Sequence, residues 1–215
     1  MKLTAAQRAA LDKSVAPARM GTYLAAAGHD PDHARELYLW DPELSVAFMA
    51  DLAILEVALR NAMNSRLVSR WGERWFESQS IRLDDRSCRA LADAWSRTAP
   101  DRGPDRIVAQ CMFAFWRALL DKGDHVGVGP SRVRCDYETQ LWRGVLDKAF
   151  PGGKAQAARD GFPLSGQGIR RTAHEAHSDC MRLAGMLGRD LASWGDATSN
   201  IGAVLAKRPR SVADR

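Results

Sequence analysis

The chain has 215 residues, 46% of them hydrophobic and 27% charged, with a formal net charge of +5 and a pI near 9.3. This is enough chain, with ordinary globular composition, to bury one substantial core. No run reaches membrane-spanning length, no signal-peptide shape opens the chain, and Cys88, Cys111, Cys135 and Cys180 are scattered without CxxC or other metal-binding spacing.

Those features give no sign of a membrane span, a disulfide framework or a zinc ribbon, and they predict a cytoplasmic protein with no cofactor. The basic balance permits attraction to RNA, DNA or an acidic protein, but charge alone supplies no chemistry and is equally that of a solvated face.

The pattern predicts an all-α chain. Pro17 suits the first turn of a short helix carrying Met20, Tyr23 and Leu24, and Asp30-Pro31 starts another carrying Leu37, Tyr38 and Leu39. Asp41-Pro42-Glu43 reads as the capped start of a long central helix ending near Gly72. Trp71, Trp75 and Phe76 then form an aromatic packing corner rather than a base-stacking platform.

A helix is predicted over 83–98, with Cys88, Leu91, Ala92 and Trp95 on its packed side, followed by a Pro/Gly/Asp break. Helix resumes near Asp105 with an apolar surface of Ile107, Val108, Cys111, Met112, Phe115, Trp116 and Leu119. Residues 121–131 read as a loop whose GVGP lacks the lysine of a phosphate-binding P-loop. From Glu138 a helix carries Leu141, Trp142, Val145, Leu146 and Phe150 until Pro151-Gly152-Gly153 stops it. A helix over 167–187 and a shorter one through Leu191, Trp194 and Ile201 complete the chain. A single domain over 1–208 with a polar tail, 209–215, is expected.

The long helix carries the strongest signal. Leu44, Ala47, Phe48, Leu52, Leu55, Leu59, Met63 and Leu67 make a core-facing stripe, while Glu56, Arg60 and Asn64 recur every fourth residue on an adjoining face. Buried polar groups need partners, so this set, with Asn61, is either an internal hydrogen-bond network or the floor of a site. A metal site at His29 and His33 is disfavoured, because His29-Asp30-Pro31 interrupts the helix between them.

The phrases RELYLWDPELSVAF, LAILEVALRNAMNSRL, RWGERWF, DRIVAQCMFAFWRALL and ETQLWRGVLDKAFP, with RLAGMLGRDLASW and AVLAKRP, cover most of residues 19–208. In this order they resemble the Abi-like (abortive infection) family, related to the HEPN helical superfamily. The resemblance implies a HEPN-like bundle, a role in phage defence or a toxin–antitoxin pair, and metal-independent endoribonuclease action at a site commonly completed across a dimer. Active members carry an RNxxxH-type motif after the AFP element. Here that phrase is absent, and GFPL stands at Gly161–Leu164, where the family often has HEPL.

The nearest substitute is IRRTAHEAH, in which Arg170, His174 and His177 share one side of a helix. Histidine transfers protons near neutrality and arginine grips phosphate bidentately, so these three are the candidate catalytic residues, with Arg60 in support. The plain alternative is a charged helix face on a noncatalytic scaffold or RNA-binding protein that has lost cleavage. The expected partners are RNA, a second copy of the chain, or a cognate defence or antitoxin protein, with no membrane.

Overall fold

The computed structural model describes residues 3–98, 100–101, 103–153, 187, 193, 197–207 and 209. They are mostly helical, with one two-stranded sheet among the described residues. The chain divides into two compact units, Met1–Ala50 with Ser199–Arg215, and Asp51–Thr198.

In the first unit, α1 (Ala5–Ser14) begins with a reciprocal capping box between Thr4 and Gln7, and α2 (Pro17–Ala26) has Pro17 in its first turn, as predicted. His29 then takes a left-handed φ of 66° in the connector. The carboxylate of Asp30 accepts from the amides of Asp32 and His33, which starts α3 (Pro31–Trp71).

The predicted break at Asp41-Pro42 is absent, because α3 continues through Pro42. The proline removes one helical hydrogen bond, but the two residues before it are held by tertiary contacts. The Trp40 indole donates to the Val204 carbonyl at 2.9 Å, and the Tyr23 hydroxyl donates to Asp41 at 2.8 Å. Tertiary contact thus overrides the local signal.

Ala27, Ala34 and Leu37 form one small apolar cluster in this unit, and Ala47, Ile201 and Val204 form another. The last two belong to α7 (Ile201–Ala206), so Ile201 begins a helix rather than lying within one that passes through Trp194. Arg35 adds ion pairs to Asp12 at 2.7 Å and Asp32 at 2.9 Å.

The second unit has a larger core. Leu55, Leu59, Met63 and Leu67 follow one another at helical spacing on α3, and all are buried. Gly72, at φ 87°, returns its amide to the Val68 carbonyl and ends the helix at the predicted place. Trp75 and Phe76 are buried in the following turn, where Trp75 packs with Phe115 and Trp116. The aromatic corner is therefore core.

Helix α4 (Asp85–Arg97) packs Leu91 and Trp95 against the core as predicted, but not the other two residues of the expected face. Ser87 and Ala94 are buried, whereas Cys88 and Ala92 are exposed. The single helix predicted from Asp105 is two, α5 (Pro104–Gln110) and α6 (Phe113–Ala118), with Cys111 and Met112 extended between them. Two carbonyls released at that break are taken up by side chains. Arg97 donates to the Gln110 carbonyl, and the Trp116 indole donates to that of Cys111.

The predicted 121–131 loop contains strand β1 (His125–Val126), paired antiparallel with β2 (Val133–Arg134). Gly123 makes the approach possible: at φ 77°, a Cβ there would collide with the Cys135 carbonyl oxygen. The helix expected from Glu138 is a π-turn over Glu138–Trp142 and a 3-10 turn over Leu146–Ala149, separated by Gly144 at φ 78°. Its apolar set, Leu141, Trp142, Val145, Leu146 and Phe150, is nevertheless buried. No helix among the described residues is long and apolar enough to cross a membrane.

Candidate functional site

On α3 the four polar residues do not form a single closed network. Asn64 is half-buried, and its carbonyl oxygen accepts from the Trp75 indole at 2.8 Å. That bond satisfies a tryptophan otherwise enclosed in the core. Asn61 is exposed and accepts a long contact, 3.4 Å, from Arg60 Nε.

Glu56 and Arg60 are both half-buried, and no ion pair joins them. Arg60 instead acts on Cys111. Burial pushes that thiol up to about 11, against the opposing pull of the Arg97 and Arg60 guanidiniums. Of the two, Arg97 is placed beside the extended residues between α5 and α6 by its bond to the Gln110 carbonyl, and among the described residues neither makes an ion pair. Such a pair can contact phosphate.

Arg170, His174 and His177 lie outside the described residues. His29 and His33 fall on different elements, as the interruption at Asp30-Pro31 implied: His29 lies in the connector, and His33 is on α3 with Nε2 3.3 Å from the Pro209 carbonyl oxygen. No group of three metal-ligand side chains occurs among the described residues.

The structure also brings together residues that the sequence did not single out. A cleft of about 400 Å³ opens where the start of α4 meets the β1–β2 hairpin. Asp84, which is buried, caps α4 by accepting from the Ser87 amide at 2.8 Å. Its other oxygen accepts from the Asp124 amide at 3.2 Å. The Tyr137 hydroxyl accepts from the Asp84 amide and donates to the Ser87 hydroxyl, which completes a buried polar knot. Burial pushes the phenol of Tyr137 well above its ordinary value.

On the outer wall, His125 Nδ1 lies 2.8 Å from Asp124 Oδ1, and this contact holds the Asp124 carboxyl below its usual range. Asp121 accepts from the Lys122 amide at 3.0 Å. Arg86 and Arg134 complete the basic part of the lining. In the sequence the one available signal was the adjacent Asp124-His125 pair. The cations that accompany it come from separate segments and meet only through the fold.

No family model, curated protein or solved structure matches the chain.

Proposed function

We propose that this is an RNA-acting helical protein of the Abi-like, HEPN-related kind, associated with phage defence or a toxin–antitoxin pair and working as a metal-independent endoribonuclease. The observation that carries the reading is Arg60: it lies within the LEVALRN phrase, makes no ion pair with Glu56, and its charge, with that of Arg97, is felt at the Cys111 thiol. The basic net charge supports the same reading.

In this scheme a ribose 2′-hydroxyl attacks the adjacent phosphorus as His174 takes its proton. The bond to the 5′-oxygen breaks, that oxygen gains a proton, and a cyclic phosphate is left on the other fragment. Arg60 and Arg170 offset the charge that builds on the non-bridging oxygens, with His177 a further phosphate contact.

The test is end-labelled mixed RNA incubated with the purified chain, with and without chelator. Cleavage that survives chelation, is abolished by His174→Ala and falls about a hundredfold in Arg60→Gln is the expected result. Absence of cleavage by clean, folded protein overturns the catalytic reading.

A noncatalytic dimerising scaffold is the second reading. Val46 and Met49, one turn apart on α3, are 69% and 64% exposed, which favours an apolar contact with a second copy. Stable self-association without cleavage selects it.

A further inference from the structure

We propose that the cleft between the start of α4 and the β1–β2 hairpin binds a terminal phosphate monoester, carried by a nucleotide-sized molecule or a strand end. This site is separate from the Arg60 region, and the inference does not depend on RNA cleavage.

The argument begins with which charges are already committed. Both oxygens of Asp84 accept backbone amides, from Ser87 and Asp124, and Asp124 is engaged by His125. Arg86, Lys122 and Arg134 line the same cleft, and among the described residues none makes an ion pair. The cations are therefore available to an incoming group, while the three lining carboxylates, Asp84, Asp121 and Asp124, are each engaged by donors of the protein itself.

An anion is the ligand such a wall accepts. Two guanidiniums and an ammonium suit the several oxygens of a phosphate monoester. The N-terminus of α4 is not the anion site, because Asp84 already occupies it as cap.

Position and size agree with this. His125 lies directly opposite Arg134 in the antiparallel register, so the imidazole and a guanidinium stand side by side on the short sheet. A cleft of about 400 Å³ exceeds what a bare phosphate fills and falls in the range of small-ligand sites. The approach of Lys122 and Asp124 to the second strand depends on Gly123, so the hairpin geometry is specified by the chain itself.

The experiment titrates the full chain with inorganic phosphate, uridine 5′-monophosphate, and a short oligonucleotide bearing either a 5′-phosphate or a 5′-hydroxyl, following the His125 ring resonances and binding heat. Saturable binding of the monophosphate, weakened about tenfold by Lys122→Gln and by Arg134→Gln, is the expected result. Arg106→Gln, which removes an exposed charge paired with Asp101 elsewhere, should bind as the parent does. Binding of the 5′-phosphorylated but not the 5′-hydroxyl oligonucleotide, with the same sensitivity, supports the site and identifies a strand end as the source. No saturable binding by any probe up to roughly 10 mM, or binding indifferent to both variants, overturns the proposal. The two claims fail separately, since cleavage reports on Arg60 and His174 whereas monophosphate binding reports on Lys122 and Arg134.

Discussion

The two units are stabilised by different means. In Asp51–Thr198, aromatic and aliphatic side chains from α3, α5, α6 and the 138–150 segment share one buried cluster, and a buried Asp84–Ser87–Tyr137 knot satisfies the polar groups beside it. In the unit formed by Met1–Ala50 and Ser199–Arg215, the apolar clusters are small and Arg35 ties α3 to α1 through exposed Asp12. The hydrophobic effect scales with apolar area removed from water, whereas surface pairs contribute little and are screened by salt. The first unit is therefore expected to open at lower denaturant and to exchange its amides sooner.

The largest test of that contrast is Leu59→Ala. It removes a side chain that is 1% exposed, and a cost of about 3 kcal/mol is expected in the exchange of the second unit's core amides. An effect below about 1 kcal/mol would mean that the core collapses around the gap. Gly123→Ala comes next, at about 2 kcal/mol, because the added methyl meets the Cys135 carbonyl at a backbone angle that alanine resists. Unfolding followed by tryptophan fluorescence measures it, and an unchanged midpoint would show that the hairpin yields easily.

Cys111 gives a smaller, pH-dependent effect. Its thiol titrates near 9 when unfolded and at about 11 when folded, so between these values the folded chain holds the proton and the unfolded chain has released it. Stability contributed by the neutral thiol is full below pH 9 and is lost as pH rises toward 11. Relative to Cys111→Ala, the parent should lose at most about 1.4 kcal/mol per pH unit in that window. Parallel stability curves for the two chains would remove burial as the cause.

The smallest expected effect is in the first unit. Arg35→Ala should cost about 1 kcal/mol or less at low salt, and the loss should shrink in 1 M salt, where the Debye length is about 3 Å. A salt-independent loss would point to packing of the arginine stem instead, since this side chain is 18% exposed.

Much of the fold is legible where a repeated pattern extends over several turns. The four-residue spacing from Leu55 to Leu67 and the stop at Gly72 need no tertiary information. The Asp41-Pro42 signal misleads because contacts from Tyr23 and Val204, distant in sequence, hold the two residues just before the proline. Glycine marks another divergence: Gly144 takes a positive φ within the apolar 138–150 run, so that run is buried as expected but is not one helix.

Site residues are harder to read. The polar spacing on α3 locates Arg60 and Asn64, but only the fold gives Asn64 to Trp75 and brings the charges of Arg60 and Arg97 to bear on Cys111. The cleft is less legible still, because strands of two residues leave no periodicity and its cations come from separate segments.

One carboxylate has a kinetic consequence. Asp84 receives the Ser87 amide on one oxygen and the Asp124 amide on the other, and its own amide is held by Tyr137. Fraying of α4 at its first turn and release of the hairpin are thereby made a single event, in which neither can go ahead of the other at low cost. Deuterium should enter those amides in concert, and the mouth of the cleft should widen or stay shut together with them.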